Sequence, residues 1–340
     1  MKNRLRKYTI TDERRVLQIH AALQADPLRL FAGASAIERR YRERYPAQAS
    51  PSLRFIGRML AKHGLVTLPK VHRKGVSRYL HYPQTLIERL GPSLLEMDFI
   101  GKKFIAGRTQ PVNFIAFSLR FPRILKHFQR VEAETTEIVM QQFQRFCRRF
   151  ETPAVVKLDN GLPFAAAGPR PRSINRAVAS MLRDRIIPVF TAPRRPWNQA
   201  SVEGANSIFS RKFWNRMRFH SLDQIDHELE RFNAAYAWYT GYHRPTRSET
   251  RSRKFIPRIY FIRKVYEHPT THRGSIEILK EQITVPIGYI NLFVLAEWNL
   301  NTQKLNILFE NNHKKQLVKS VPFSLSGPIS NSGVLVSFDT

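Results

Sequence analysis

The sequence has little cysteine, little acidic charge and no long uncharged apolar run. Its one cysteine, Cys147, excludes an internal disulfide framework and any cysteine-based zinc finger, and its apolar helical neighbours predict a buried, inert thiol. No stretch of about 18 uncharged apolar residues occurs, so we expect neither a transmembrane helix nor a membrane partner. The basic N-terminus lacks the apolar segment of a signal peptide, so an intracellular location is expected.

Several catalytic motifs are also missing, whereas the charge balance indicates a partner. No Gly-rich loop of the Walker type and no His-Glu-x-x-His zinc motif occur in the sequence. The 340 residues carry 56 Lys and Arg against 26 Asp and Glu, a net charge of +30, which favours a polyanion such as nucleic acid. Hydrophobic residues make up 42% of the chain, which is enough for a sizeable core and excludes a disordered basic tail.

Residues 1–68 predict three helices. The first is expected to begin at an N-cap at Thr11 and to end near Pro27, and the second spans residues 34–45. The third is expected to be capped by Ser50 and to end at Gly64.

The third helix carries the DNA-binding prediction. Its apolar stripe is formed by Leu53, Ile56, Met59 and Leu60. Its cations recur every four residues and therefore share one face; they are Arg54, Arg58 and Lys62. Three helices with a basic last helix resemble a helix-turn-helix DNA reader, and the alternative is an ordinary bundle with a solvated basic face.

The rest of the chain predicts a multidomain α/β protein. Residues 69–92, which include Arg73, are expected to form a basic linker. In residues 93–245 the strand candidates are Leu94–Phe104, Val112–Phe121, Ile124–Val131 and Ala154–Leu158, and the helix candidates are 134–149, a helix from Ser201 through Trp214, and 222–239. This order predicts a mixed sheet covered by helices.

The C-terminal third predicts a small, separate β-barrel. A basic connector is expected over 246–272, the barrel over 273–320 and a loose tail over 321–340. The barrel strands are expected at Ser275–Val285, Leu292–Trp298 and Leu305–Glu310.

Three carboxylates occupy positions that suit a metal site. Asp98 lies within the first core strand, Asp159 follows a short apolar strand, and Glu203 lies in the first turn of a helix. Each alone is an ordinary structural residue, because Asp-Asn-Gly is a turn signature and a first-turn Glu favours the helix dipole. As a set they offer oxygen ligands to a pair of hard divalent ions.

The ordered set resembles the DDE transposase and retroviral-type integrase-core family, and prokaryotic insertion-sequence transposases most of all. The likeness is carried by Asp98, by Asp159-Asn160-Gly161 with Phe164, and by the block from Pro196 to Glu203. It implies a ribonuclease-H-like core and an SH3-like C-terminal barrel. It also implies that Asp98, Asp159 and Glu203 are catalytic residues that hold Mg²⁺ or Mn²⁺, two ions per site.

The resemblance further implies DNA cleavage and strand transfer at mobile-element ends. The expected partners are double-stranded DNA, as terminal repeats and as target, and further copies of the chain in a homo-oligomer on DNA. The expected location is the prokaryotic cytoplasm, in association with the nucleoid. Two departures stand out: the interval from Asp159 to Glu203 is longer than usual, which we assign to a loop around 168–172, and Gly204 stands where Arg is frequent.

Further DNA contacts are expected around the third carboxylate. Trp197 either stacks on an unpaired base or packs the loop. The other candidates are Asn160, Arg194, Arg195, Asn198, Asn206, Arg211 and Lys212. Three alternatives stay open: a decayed transposase that acts as a DNA-binding repressor, a nuclease with the same core that does not join strands, and a structural RNA-binding protein.

Overall fold

The computed structural model describes residues 8–26, 30–66, 82–161, 164, 171–193, 199–245 and 255–325. The predicted DNA contacts that lie outside these residues are Arg73, Arg194, Arg195, Trp197 and Asn198. The helices are α1 Ile10–Ala25, α2 Ala34–Arg44, α3 Leu53–Lys62, α4 Gln84–Glu88, α5 Thr136–Arg149, α6 Arg176–Arg183, α7 Ala200–Lys212 and α8 Leu222–Thr240. The strands are β1 Leu94–Lys103, β2 Val112–Phe121, β3 Leu125–Val131, β4 Val155–Leu158, β5 Ile187–Phe190, β6 Arg258–Lys264, β7 Tyr266–Glu267, β8 Gly274–Ile278, β9 Glu281–Val285, β10 Phe293–Asn299, β11 Lys304–Asn311 and β12 Lys314–Pro322.

The chain divides into two compact units. One comprises Met1–Val76 and Glu230–Tyr242, and the other comprises Ser77–Leu229 and His243–Thr340. The boundary therefore differs from the predicted one, because residues 230–242 belong with the N-terminal helices and not with the core. None of the helices that the structure describes is long and apolar enough to cross a membrane.

The first unit contains the three predicted N-terminal helices, with the first beginning two residues earlier than predicted. Thr9 and not Thr11 is the N-cap of α1, because Thr9 and Asp12 form a reciprocal capping box. Apolar residues of α1, α2 and α3 pack together; the fully buried ones are Val16, Ile19, Ala36, Ile37, Tyr41 and Ile56.

Helix α3, in contrast, begins later than predicted, and its buried face differs from the predicted one. Its N-cap is Ser52, whose hydroxyl accepts a hydrogen bond from the Phe55 N–H at 3.3 Å, and not Ser50. Phe55 is buried and Leu53 is 49% exposed, although the sequence placed Leu53 in the apolar stripe. Gly64 has φ +66° directly after the helix, which confirms the predicted C-terminal signal. The basic face is exposed as predicted.

The second unit is built on a nine-stranded mixed sheet, which confirms the predicted mixed α/β class. Its strand order is β12-β11-β10-β6-β5-β4-β1-β2-β3. Strands β1, β2 and β3 pair antiparallel, whereas β1, β4, β5 and β6 pair parallel. Every residue from Val112 to Leu119 in β2 is buried, as expected for an apolar strand covered on both faces.

The C-terminal strands are divided between two sheets. Strands β10, β11 and β12 continue the nine-stranded sheet through β6, and β7, β8 and β9 form a three-stranded sheet. The predicted strand 275–285 is a hairpin of β8 and β9. The predicted connector 246–272 contains β6, and the predicted linker 69–92 contains α4, whose Leu86 and Ile87 are buried in the core.

Candidate active site

Strand pairing brings two of the predicted carboxylates to the same edge of the sheet. Strands β1 and β4 are parallel, with Glu96 opposite Lys157. Asp98 comes two residues after Glu96 on β1, and Asp159 comes two residues after Lys157, directly after the end of β4, so the two aspartates lie at the same level of the sheet. The third carboxylate, Glu203, is exposed on α7, a helix that contacts β1 and β2.

The turn after β4 fixes the Asp159 carboxylate. The N–H of Gly161 donates a hydrogen bond to Asp159 Oδ1 at 2.9 Å, which is the bond of an Asx-turn. A Cβ atom on Gly161 would lie 3.0 and 3.1 Å from the two carboxylate oxygens. The absence of a side chain at Gly161 therefore makes room for the Asp159 carboxylate.

Helix α7 is bonded directly to the strand that carries Asp98. The side-chain amide of Asn206 donates a hydrogen bond to Asp98 Oδ2 at 3.2 Å. Glu203 lies one turn earlier on the same helix. Asn206, which the sequence marked as a DNA contact, thus orients a candidate catalytic carboxylate.

The three carboxylates interact electrostatically. Burial, followed by the negative charges of Asp159 and Glu203, raises the pKa of Asp98 to about 7. Burial also raises the pKa of Asp159, and the Gly161 N–H opposes this shift. Negative charge is therefore unfavourable here without a compensating cation.

The donor chemistry of the site fits a hard divalent cation. Three carboxylates supply the oxygen ligands that Mg²⁺ takes, and the raised pKa of Asp98 marks a place where positive charge is stabilising. Asn206 Oδ1 is also buried with no hydrogen-bond donor among the described residues. The same residues contain no group of three or more His, Cys, Asp or Glu side chains already gathered closely enough to hold a metal ion.

Glu96 has a structural role that the sequence only hinted at. The alternation of side chains along a strand puts Glu96 on the same face as Asp98, and the structure buries its side chain completely. Its Oε2 accepts hydrogen bonds from the N–H groups of Ser201 and Val202, at 3.1 and 3.0 Å. An acidic residue in the apolar first half of a strand of a basic chain was the available signal.

Asn160 is half-buried and is held by hydrogen bonds on both sides of its amide. Its side chain donates to the Thr191 carbonyl at 2.6 Å, and its Oδ1 accepts from Arg263 at 3.4 Å. Arg263 is 9% exposed, and burial lowers its pKa to about 10. Arg263 lies on β6, far along the chain from Asn160, and no local pattern identifies this pair.

The basic continuation of α7 is present as predicted. Arg211 is exposed and Lys212 is half-buried. Burial, followed by the charges of Arg216 and Arg211, lowers the pKa of Lys212, so an anion here would relieve repulsion. Cys147 is partly buried, and burial raises the pKa of its thiol to about 12, in line with the predicted inert thiol.

Comparisons with known proteins give distant structural likenesses. No protein-family model and no curated protein matches the chain. The chain is similar to a chain of the simian T-cell lymphotropic virus intasome in complex with the PP2A regulatory subunit B56 gamma, at 11% identity and a TM-score of 0.37, over 89% of this chain and 95% of that one. It is also similar to the catalytic core domain of BIV integrase, at 18% identity and a TM-score of 0.26, over 42% of this chain and 99% of that one. At these TM-scores neither likeness decides what this chain does.

Proposed function

We propose that the chain is a DDE-type polynucleotidyl transferase, a DNA transposase that cleaves and joins strands at the ends of a mobile element. The observation that carries the proposal is geometric: the register of β1 and β4 places Asp98 and Asp159 at the same level of the sheet, and Asn206 of α7, one turn after Glu203, donates to Asp98. Two strand carboxylates with a third on the neighbouring helix suit two-metal phosphoryl transfer once a cation draws them together. The excess of cations in the chain as a whole suits a polyanionic substrate.

We assign the residues of the site three roles: metal binding, orientation of the metal ligands and DNA binding. Asp98, Asp159 and Glu203 would hold two Mg²⁺ or Mn²⁺ ions, which when bound stabilise charge on the phosphate oxygens. Asn206 and the Gly161 N–H orient two of these carboxylates. Arg211 and Lys212 would bind the DNA backbone beside the site.

Two successive displacements account for the reaction. A water oxygen attacks a phosphodiester at the end of the element, the bond between phosphorus and the 3′ oxygen breaks, and a 3′-hydroxyl is released. The oxygen of that hydroxyl then attacks a phosphodiester of the target and becomes the new bridging atom, while the bond between the target phosphorus and its own 3′ oxygen breaks. The proton lost by the attacking hydroxyl is balanced by the one gained by the departing target strand, which leaves with a free 3′-hydroxyl. No covalent protein–DNA intermediate is required, and joining two ends requires at least two protomers.

A DNA-binding protein without catalysis is the second candidate. It is favoured by the absence, among the described residues, of three metal-ligating side chains already gathered for binding. In that case the basic helix α3 and the charge of +30 would serve binding alone.

The test is incubation of wild type and Asp98→Asn with an end oligonucleotide and a plasmid in Mg²⁺. We expect joined product from wild type and a loss of more than about 100-fold in the variant, since a required metal ligand is lost. Nicks without joined product would replace the transferase by a nuclease. No product from either protein, with retained preference for the terminal DNA repeat, would favour the non-catalytic candidate.

A further inference from the structure

A buried polar cluster lies beside the first turn of α7 and belongs to no part of the proposed chemistry. Its members are Glu96, Ser118, Arg120, Lys126, Lys157 and Ser201. Glu96 is 0% and Lys157 2% exposed. Removing such charges from water is costly unless each is paired and hydrogen-bonded. The elements that carry these residues are therefore held in the one arrangement that keeps every pair intact.

Glu96 occupies the place of a missing helix cap. The residue before α7, Gln199, makes no side-chain capping bond, which would leave the first N–H groups of the helix unpaired. Glu96 Oε2 accepts from two of them, those of Ser201 and Val202. A carboxylate at a helix N-terminus is also favoured by the helix dipole.

Two lysines complete the attachment. Lys157 Nζ lies 3.5 Å from Glu96 Oε1. Lys126 donates to the Ser201 carbonyl at 2.8 Å and to its hydroxyl at 2.7 Å, and that hydroxyl also bonds Ser118. The first turn of α7 is therefore fixed to β1, β2 and β3 together.

We propose that Glu96 is a positioning residue that sets the distance between the third carboxylate and the other two. Glu96 and Asp98 are two residues apart on β1, and Glu203 directly follows Val202, whose N–H Glu96 accepts. One strand thus fixes both Asp98 and the helix turn that carries Glu203. This inference rests on the proposed function, and it makes Glu96 a positioning residue and not a ligand because its oxygens bind the first N–H groups of α7 and lie close to Lys157.

The test compares Glu96→Ala with Glu96→Gln, whose amide oxygen still accepts the helix N–H groups. We expect Glu96→Ala to lower amide-exchange protection at Ser201 and Val202 by about tenfold, as for loss of a cap. We expect kcat for strand transfer to fall about 10–100-fold, as for lost support of a ligand. The Kd for end DNA should not change, and Glu96→Gln should recover part of both losses.

Glu297→Gln is the matched control. Glu297 is also a buried glutamate of the second unit, but it accepts from Tyr260 and Asn306 on the far strands β6 and β11. Its substitution tests general destabilisation and should leave protection at Ser201 unchanged.

Each outcome is decisive. Lost protection with unchanged kcat overturns the positioning role, and unchanged protection in Glu96→Ala overturns the cap. If wild type joins no DNA in Mg²⁺ or Mn²⁺, the proposed function fails together with the catalytic role of Glu96, whereas the cap still stands or falls on amide exchange. If Glu96→Ala does not fold, Lys126→Met, which removes another attachment of Ser201, carries the comparison, and full kcat in Lys126→Met together with unchanged protection at Ser201 contradicts the proposal.

Discussion

Asp98 is the residue whose environment departs most clearly from that of an ordinary carboxylate. It was predicted from its position in a strand of a chain poor in acidic residues, and the structure adds the reason it suits a cation: burial and two neighbouring negative charges. A raised pKa means that the proton on Asp98 stabilises the folded state below the ordinary carboxyl pKa, and that this contribution is lost as pH rises through about 7.

This shift predicts a pH-dependent response to Mg²⁺. Because metal binding requires the deprotonated carboxylate, Mg²⁺ should raise the melting temperature more at pH 8 than at pH 6. Asp98→Asn should remove most of that difference and should stabilise the metal-free protein at pH 8. Thermal unfolding of both proteins with and without Mg²⁺ checks this, and equal Mg²⁺ shifts at the two pH values would argue against it.

The missing side chain at Gly161 can be tested by substitution. A methyl group there would press on both Asp159 oxygens, at 3.0 and 3.1 Å, so Gly161→Ala should displace a ligand and lower kcat by about tenfold. Gly101→Ala is the control, because its Cβ would meet nothing within 4 Å. Activity of Gly161→Ala equal to that of the control would show that Asp159 needs no such space.

Helices, long strands and the C-terminal glycine of α3 followed from the sequence, whereas the N-caps of α1 and α3 and the turn between β8 and β9 did not. The pattern of β2 predicted Val112–Phe121 with the boundaries that the structure has. The β8–β9 hairpin was missed because its turn residues, Leu279 and Lys280, both have positive φ without being Gly or Asn. Local composition carries no signal for such a turn.

Helix α3 predicts how the first unit binds DNA. Arg54 and Arg58 are exposed on its basic face, so replacing both with Ala should weaken binding to end DNA. If they read bases, each lost contact should cost roughly 1–3 kcal/mol for the terminal repeat alone. If they bind phosphate, binding to all sequences should fall and the salt slope should drop by about 0.9 per contact.

The control for that experiment is Arg42→Ala, because Arg42 is exposed on α2 but paired with Glu38. Binding titrations at several salt concentrations, with specific and random DNA, separate the two modes. Unchanged affinity and unchanged salt slope in the double variant would remove α3 from the DNA-binding surface.

At the scale of the molecule, the sequence predicted a mixed α/β core but not its extent. Strand periodicity identifies a strand without identifying its neighbour, so the C-terminal strands were assigned to a separate barrel. In the structure β6 pairs parallel with β5, through Val189 and Tyr260, and joins the later strands to the core sheet. The candidate site depends on this pairing, because Arg263 of β6 donates a hydrogen bond to Asn160, the residue after Asp159.

The continuous sheet predicts that the core does not fold without its C-terminal strands. A chain that ends at residue 257 would leave β5 without its β6 partner and expose the buried Val189 and Phe190, an edge prone to aggregation. We expect it to be insoluble or to lack cooperative unfolding, whereas a chain ending at residue 325 should unfold cooperatively. A soluble, cooperatively folded short chain would instead support a separate C-terminal domain.

The number and affinity of bound Mn²⁺ ions test most directly whether Asp98, Asp159 and Glu203 together hold the catalytic metals. Electron paramagnetic resonance of the protein bound to end DNA should show about two Mn²⁺ ions per site. Asp98→Asn, Asp159→Asn and Glu203→Gln should each lose at least one ion or weaken its binding by more than about tenfold. Equal Mn²⁺ binding by wild type and all three variants would contradict the account.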